Sequence, residues 1–300
     1  MHGAMVAETL WQLDSVSLAP ARLREITIAI PRGITAVLGW SGAGKTSLLN
    51  LLAGFEKPSA GKISGADQVA WVPQNGGLWP HCTAREHLEI ARQSGGEIDA
   101  LLATFDLAEK ARALPHELSE GEQSRLAVAR ALAADTHVLV MDEPLVHVDP
   151  SRVGKYWHAI REHIARTKAS LIFSTHEPEA AMGEAEHVIC LREGRVLHAG
   201  RVAELYSNPP TQELMECLGA GNWFTPEEAR HWLGIEIASA RCFRPEQLAI
   251  EPSERGRFVV EASRFCGSIA EVQIGVRIFF HRPAKASLQP GMSATIGVRE

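Results

Sequence analysis

A phosphate-binding loop constrains this chain more than any other stretch of its sequence. The apolar segment 34–38 leads into a Gly-rich turn, and the helical pattern SLLNLLAG follows. The turn fits G-x-x-x-x-G-K-[ST] with the residues Gly39, Trp40, Ser41, Gly42, Ala43, Gly44, Lys45 and Thr46. A strand before the loop and a helix after it are the context that this motif requires. We therefore interpret the segment as a nucleotide site.

The residue types of the loop suit a triphosphate. Glycines let consecutive backbone N–H groups turn inward and form a concave site for anionic oxygens. The helix that begins near Lys45 and continues through Ser47 points the positive end of its dipole at the same phosphates. We expect Lys45 to reach the β- and γ-phosphates of ATP and the Thr46 hydroxyl to bind Mg²⁺. The alternative is an ordinary strand–turn–helix with a chance lysine.

Composition and charge narrow the class of protein. Three hundred residues with 45% apolar side chains suggest about two domains with a buried core. The net charge of −6 argues against a nucleic-acid partner, because such proteins bind by neutralising phosphates. No apolar run reaches the roughly 18 residues of a membrane span, and the first residues lack a signal-peptide pattern. The five cysteines form no C-x-x-C pair, which favours reduced thiols in a cytosolic protein.

Hydrophobic periodicity divides the chain into an α/β part and a β part. Strand and helix patterns alternate over the first 200 residues or so, which predicts a largely parallel sheet. The strand and helix patterns after the loop cover residues 69–72, 83–114, 120–134, 137–141, 152–167 and 170–174. After Gly219 one short helix is predicted at 226–233. From 248 onward only short strands are predicted, as in a small β-barrel or sandwich.

Two adjacent acids end the apolar run at 137–141. Asp142 is expected at the carboxyl end of a buried strand, where it would hold Mg²⁺ directly or through water. Glu143 follows and could polarise the attacking water as a general base, an effect worth roughly 10²–10⁴-fold in rate. The alternative is a pair of solvated acids that cap a strand.

The segment 118–123, with the sequence LSEGEQ, resembles the LSGGQ signature of ATP-binding-cassette (ABC) ATPases. We call it the signature segment. The resemblance implies that Ser119, Gly121 and Glu122 cap the γ-phosphate bound by a second subunit, with the helix dipole supplied in trans. Glu120 replaces the first glycine of the family pattern and Glu122 its glutamine. Two acids beside a nucleotide are expected to weaken this capping unless they point away.

Three further residues match the same family by position. Gln74, in VPQNGG, stands where the family's Q-loop glutamine contacts Mg²⁺ and the attacking water. Asp149, in VHVDP, matches the D-loop aspartate, although the usual serine of that loop is missing. His176, in FSTHEP, matches the switch histidine that contacts the γ-phosphate. Without these neighbours, a lone glutamine or histidine after a strand would be an ordinary polar residue.

One expected element of the family is missing. An aromatic side chain usually stacks on adenine from a position near residues 18–20, and none stands there. Trp11 and Trp40 are nearby in sequence, and both are predicted to pack rather than to stack.

The resemblance covers almost the whole chain and implies a domain organisation. Residues 1–219 are expected to form an α/β P-loop NTPase domain, a RecA-like core with a helical subdomain at about 83–134. Residues 220–243 connect it to residues 244–300, which resemble the TOBE domain, a small all-β, OB-like barrel found in many importers.

The family also implies partners. Two copies are expected to clamp two ATP molecules beneath two membrane-spanning permease subunits, at the cytoplasmic side of the membrane, and a solute-binding protein is expected outside. Residues 75–83 are the expected docking loop, in which Leu78 and Trp79 either anchor the permease or pack beneath the helical subdomain. The solute stays open among inorganic anions, ferric iron, polyamines and sugars.

Two other classes compete with this hypothesis. A DNA-repair or chromosome ATPase would carry a coiled coil or zinc modules between Lys45 and Ser119, and this linker has neither heptads nor Cys pairs. A degenerate regulatory cassette with weak or no hydrolysis would explain Glu120 and the missing aromatic. The intact residues Lys45, Glu143 and His176 argue against it.

Overall fold

The computed structural model describes residues 8–92, 97–283 and 288–299. The chain folds into two compact units that divide between Arg201 and Val202. In the described residues, no helix is long and apolar enough to cross a membrane.

The first unit is built of alternating strands and helices, as the periodicity predicts. Its elements are β1 (Thr9–Leu18), β2 (Leu23–Pro31), β3 (Ile34–Leu38), α1 (Lys45–Leu52), β4 (Ala60–Gly65), β5 (Ala70–Val72), α2 (Ala84–Ala91), α3 (Ile98–Thr104), α4 (Glu120–Ala133), β6 (Val138–Asp142), α5 (Pro150–Thr167), β7 (Ser170–Thr175), α6 (Pro178–Glu184), β8 (His187–Arg192) and β9 (Arg195–Arg201).

A six-stranded sheet with the order β5-β6-β7-β3-β8-β9 forms the centre of this unit. Every pairing is parallel except that of β8 with β9. Its central strands read as continuous apolar runs because both faces are covered; every residue of β6 and of β7 is buried. The carboxyl ends of β3, β6 and β7 meet at one edge, where ligands bind in open α/β sheets.

A second, antiparallel sheet with the order β2-β1-β4 packs on the same core. Alternate residues of β2 are buried, as expected for a sheet with one solvent-facing side. Helix α1 contributes Leu48, Leu49 and Leu52 to this core, each at most 3% exposed. Full burial of such a side chain contributes about 1.5–3 kcal/mol, so these leucines fix the helix that follows the phosphate loop.

The predicted helical subdomain is the insertion between β5 and β6, which holds α2, α3 and α4. Thr83 starts α2 with a capping box to Glu86. The helical pattern predicted up to residue 114 is too long, since α3 ends at Thr104. Asp106 has a φ of 53°, a left-handed conformation that stops the helix. Only short 3₁₀ turns follow before α4.

The second unit begins earlier than the boundary predicted after residue 219. Its first two helices belong to it because the buried Arg244 donates to the carbonyls of Tyr206, Met215, Gly219 and Ala220. The elements are α7 (Val202–Ser207), α8 (Gln212–Cys217), β10 (Asn222–Phe224), α9 (Pro226–Glu228), β11 (Arg241–Phe243), β12 (Leu248–Pro252), β13 (Phe258–Val259), β14 (Ala262–Cys266), β15 (Ile269–Ile274), β16 (Arg277–His281) and β17 (Ser293–Val298).

The strands of the second unit confirm the predicted small all-β region. Antiparallel pairing gives the three-stranded sheets β12-β17-β13 and β14-β15-β16. The predicted helix at 226–233 starts with a capping box at Thr225 and continues as a π-helical turn to Leu233. Its residues Ala229 and Leu233 enter a core with Phe224 and Phe279, which the sheets enclose.

Candidate functional site

The phosphate loop joins the carboxyl end of β3 to the first turn of α1. Gly42 and Gly44 have φ values of 78° and 104°, which L-residues with a side chain rarely adopt. Gly39 has no room for a Cβ, which would lie 2.5 Å from the carbonyl oxygen of Leu191. Helix α1 has no side-chain cap at its N-terminus and no acidic residue in its first turn. Its first N–H groups are therefore available to an anion.

A cavity of about 770 Å³ covers this loop. Its lining residues are Arg22, Trp40, Ser41, Gly42, Ala43, Gly44, Lys45, Thr46, Ser47, Gln74, Glu143 and His176. Seven of these belong to the predicted motif and Ser47 follows it, whereas Gln74, Glu143 and His176 come from three distant parts of the sequence. The cavity has the size of sites for small ligands.

Lys45 lies beneath the loop, 8% exposed. Its Nζ donates to the carbonyl oxygen of Gly39 at 2.7 Å and to that of Trp40 at 3.4 Å. The same atom lies 3.6 Å from Oε1 of Glu143. The ammonium thus stands between the loop carbonyls and the carboxylate that was predicted as the general base.

Thr46 and Asp142, two of the three residues predicted to bind Mg²⁺, are in direct contact. The Thr46 hydroxyl donates to Oδ2 of Asp142 at 2.6 Å, and Asp142 is 1% exposed. Oδ1 of Asp142 accepts from the hydroxyl of Ser174. This donor set of a hydroxyl and a carboxylate is of the hard oxygen type that Mg²⁺ prefers.

Ser174 was missed by the sequence analysis. Its Oγ also accepts from the backbone N–H of Glu143 at 2.9 Å, so one hydroxyl orients both acids. Asp142 pairs directly with Ser174 in the register of β6 and β7. The available signal was a polar residue at the end of an apolar strand, two positions before His176.

Glu143 is the meeting point of the remaining predicted groups. Nε2 of Gln74 donates to its Oε2 at 3.3 Å, and Nδ1 of His176 lies 3.3 Å from its Oε1. Its φ of 48° is in the left-handed region, where the Ser174 bond holds the backbone. Non-glycine residues in this conformation are found disproportionately at active sites. The carboxylate, amide, imidazole and ammonium can together orient and deprotonate a water.

The signature segment lies outside this cavity. Ser119, Gly121, Glu122 and Asp149 do not line it. Ser119 caps α4, and Oε2 of Glu122 accepts from the backbone N–H of Ser119 at 2.8 Å and from its hydroxyl at 3.1 Å. The backbone N–H donating to Glu122 is the main cause that lowers the pKa of this carboxyl, and the Ser119 hydroxyl adds to it. The Glu122 carboxylate thus turns back onto its own helix.

Gly121 and Glu120 bring the signature segment against the loop that leads to Asp149. A Cβ on Gly121 would lie 2.7 Å from the carbonyl oxygen of His147, so only glycine fits. The Glu120 carboxylate lies 3.6 Å from Nδ1 of His147, with both side chains well exposed. Asp149 caps α5 by accepting from Ser151, and that hydroxyl and N–H lower the pKa of the aspartate.

The two tryptophans near the phosphate loop differ. Trp11 is 1% exposed and packs in the core as predicted. The prediction that Trp40 packs is wrong, because its side chain is 50% exposed and lines the cavity. The guanidinium carbon of Arg192 lies 5.8 Å from the centroid of the Trp40 ring.

The predicted docking loop is held at both ends. Trp79 is 39% exposed and stacks on His87 of α2, with ring centroids 5.1 Å apart. Arg130 of α4 lies 5.0 Å over the Trp79 ring and donates to the carbonyls of Gly76 and Gly77. Trp79 therefore combines packing against the helical segment with an exposed face, and both alternatives for it stay open.

Comparisons with known proteins point to one family. A family model described as ABC transporter matches residues 23–146. The Fe(3+) ions import ATP-binding protein FbpC of Serratia marcescens is 30% identical, and the alignment covers 92% of each chain. A protein of the same description from Rhodococcus jostii is 31% identical over 85% of this chain and 83% of its own.

Solved structures agree with the fold. One described as an ATP-binding subunit of an ABC transporter has a TM-score of 0.60 and 24% identity, and covers 66% of this chain and 92% of its own length. At this identity the likeness supports the fold alone. The alignment with the Serratia protein is decisive, because at 30% identity it runs through nearly the whole of both chains. Together with the assembled phosphate loop, it shows that this chain belongs to the ATP-binding subunits of ABC transporters, of the importer type, and is an ATPase.

Proposed function

We propose that the chain hydrolyses Mg-ATP in the cavity over the phosphate loop, with Glu143 as the general base. One observation carries this proposal: Lys45, Gln74 and His176 all approach the Glu143 carboxylate, within 3.3–3.6 Å. Lys45 binds the β- and γ-phosphates in place of its present loop carbonyls and stabilises the charge that develops there. His176 contacts the γ-phosphate, and Gln74 orients the attacking water.

Thr46, Asp142 and Gln74 hold the Mg²⁺ ion in this proposal. The oxygen donors of Thr46 and Asp142 lie 2.6 Å apart, which suits two groups that share one small cation. Ser174 keeps Asp142 in place through its second oxygen. When bound to these residues, Mg²⁺ would supply positive charge beside the phosphates.

A second copy of the chain completes the site. Ser119, Gly121 and Glu122 would close over the γ-phosphate held by the partner, and Asp149 would contact the same interface. This arrangement is supported by the location of these four residues outside their own cavity, together with the exposed N-terminal turn of α4.

The dimer drives solute uptake through two membrane-spanning permease subunits at the cytoplasmic face of the membrane. A solute-binding protein delivers the solute. We propose ferric iron as this solute, because the relatives that align with most of the chain are named for Fe(3+) import.

An ATPase assay tests the catalytic part. Glu143→Gln is expected to reduce turnover by 10²-fold or more while ATP still binds, since general-base catalysis contributes about that much. Glu89→Gln, an exposed acid on α2, is the matched control and should hydrolyse ATP normally. Equal turnover by the wild type and Glu143→Gln would refute the proposed base. Uptake of ⁵⁵Fe(III) by cells that carry or lack the gene tests the solute.

A further inference from the structure

A single carboxylate joins the helical segment to α5. Asp106 follows α3 in a left-handed conformation with φ 53°. Its side chain accepts from the guanidinium of Arg152, from Nζ of Lys155 at 2.6 Å and from the hydroxyl of Tyr156 at 2.7 Å. All three donors stand on the first two turns of α5. We call Asp106 with these three donors the Asp106 latch.

The surrounding charges favour the ionised Asp106 carboxylate. Arg152 and Lys155 lie near the N-terminus of α5, where the helix dipole disfavours cations. The Asp106 carboxylate offsets part of this positive charge, and the hydrogen bonds from Lys155 and Tyr156 are the main causes that lower its pKa to about 2. The aspartate is therefore ionised at neutral pH. Its side chain is 30% exposed, so solvent screens the latch only in part.

Helix α4 holds the same turn from the other side. Nη1 of Arg125 donates to the carbonyl oxygens of Phe105 at 2.6 Å and Asp106 at 3.2 Å. Its Nε donates to the carbonyl oxygen of Gly121 in the signature segment at 3.2 Å. The Phe105 ring stacks on Tyr156 at 5.6 Å with an interplanar angle of 12°. The turn at 105–106 is thus bonded to α4 through its backbone and to α5 through its side chain.

Two further contacts join the beginning of α4 to the loop that precedes α5. The Ser124 hydroxyl accepts from the backbone N–H of Leu145 at 3.1 Å, and Gly121 lies directly against the carbonyl of His147. These contacts involve backbone atoms of the loop before Asp149. The latch contacts α5 itself, because Asp106 binds Lys155 and Tyr156 in the second turn of that helix.

We infer that Asp106 is a positioning residue that holds the signature segment and the Asp149 loop in one fixed arrangement, as a preformed surface for the ATP site of a second copy. The inference rests on the proposed dimer. Asp106 does not line the cavity over the phosphate loop. The signature segment and the Asp149 loop must both reach the partner's phosphates at the same time. If the angle between α4 and α5 varies, fewer dimers are closed, and Asp106 limits this variation.

The test uses the full chain with Glu143→Gln, in which ATP is bound but not consumed, and measures its dimer dissociation constant by sedimentation. Asp106→Gly removes the carboxylate and suits the left-handed backbone, so the variant should fold. We expect dimerisation at saturating ATP to weaken about fivefold or more, the range of couplings between distinct sites. ATP affinity, measured below the concentration of dimerisation, should not change.

Two further variants sharpen the test. Tyr156→Phe should weaken dimerisation in the Asp106 background and have no effect in the Asp106→Gly background, because the two groups share one bond. Asp99→Asn removes an acid that is paired with Arg85 inside the helical segment, and it should leave dimerisation unchanged.

The outcomes separate this inference from the proposed function. If Glu143→Gln stays monomeric in saturating ATP, the trans arrangement fails and the inference fails with it. If Glu143→Gln dimerises and Asp106→Gly dimerises equally well, the latch alone is refuted, even where the melting temperature falls. The inference is also refuted if Asp106→Gly weakens ATP binding by the monomer as much as it weakens dimerisation.

Discussion

Two helices whose N-termini carry the proposed phosphate contacts begin in opposite ways. Helix α1 starts at Gly44 with no side-chain cap and no acid in its first turn. Helix α4 starts at Ser119 with a complete capping box, and Glu120 and Glu122 both stand in its first turn. Every helix leaves its first N–H groups without intrahelical partners, and the two helices meet this need differently.

The difference shows which terminus depends on a ligand. No side chain caps the N–H groups of α1, whereas at α4 the Glu122 carboxylate accepts from the N–H of Ser119 and the Ser119 hydroxyl accepts from the N–H of Glu122. Affinity for ATP should therefore reside almost entirely in α1 and its loop. The signature segment should add to closure of the dimer and little to the binding of ATP by one chain. Four predictions follow from this contrast, beginning with the largest effect.

Lys45→Ala should reduce ATP affinity by about a hundredfold or more, because it removes the buried cation that we propose pairs with the phosphates. Isothermal titration calorimetry measures the loss, and circular dichroism checks that the chain stays folded. Lys62→Ala on the exposed strand β4 is the control and should bind ATP normally. If the dissociation constant for ATP is unchanged in Lys45→Ala, this lysine does not contribute to ATP binding.

Gly121→Ala should weaken ATP-dependent dimerisation of the Glu143→Gln chain about tenfold, because the new Cβ would meet the His147 carbonyl oxygen at 2.7 Å. ATP binding by the monomer should stay the same. Gly154→Ala is the matched control: this glycine is also helical, and no atom lies within 4 Å of the added Cβ. If Gly121→Ala also lowers the affinity of the monomer for ATP, then ATP binding and dimer closure are not separated between α1 and α4.

Ser119→Ala should cost about 1 kcal/mol of unfolding free energy, the usual effect of losing an N-cap. Urea denaturation measures it. Thr83→Ala removes the same kind of capping box from α2 and should cost a similar amount. Only Ser119→Ala should also weaken dimerisation. Equal dimerisation by both variants would reduce the Ser119 hydroxyl to a structural role.

Glu122→Gln should have the smallest effect on stability, and the effect should depend on pH. The Ser119 N–H lowers the pKa of this carboxyl below its ordinary 4.5, so the ionised form stabilises the folded chain. That stability is present above pH 4.5 and is lost as the pH falls through the folded-state pKa. The difference between wild type and Glu122→Gln in urea denaturation should therefore shrink from pH 7 to pH 3. A difference that grows in acid would contradict the cap.

The sequence predicted those parts of the site that depend on local pattern. The strand, loop and helix around Lys45 follow from short-range periodicity and glycine positions, and Asp142 follows from the end of an apolar run. The roles of Gln74 and His176 came from resemblance, and the structure brings both to Glu143. Those residue roles stay predictions until the variants are measured.

Long-range contacts were beyond the sequence. The position of Ser174 at the end of an apolar strand does not show that its hydroxyl bonds to both Asp142 and Glu143, and Asp106 looks like an ordinary helix-end residue. The early start of the second unit depends on Arg244, whose partners lie 24 to 38 positions away. The expectation that Trp40 packs is wrong because its side chain is half exposed on the phosphate loop.

Helix α4 has a mechanical consequence beyond its capped beginning. It is 14 residues long, about 21 Å at 1.5 Å per residue, and it carries Ser119 at one end and Arg130 in its last turn. Arg130 grips the carbonyls of Gly76 and Gly77, which follow Gln74. The helix thus connects the loop at 75–83 to the signature segment as one rigid element. A tilt of about 5° would swing one end by about 2 Å relative to the other, enough to make or break a hydrogen bond.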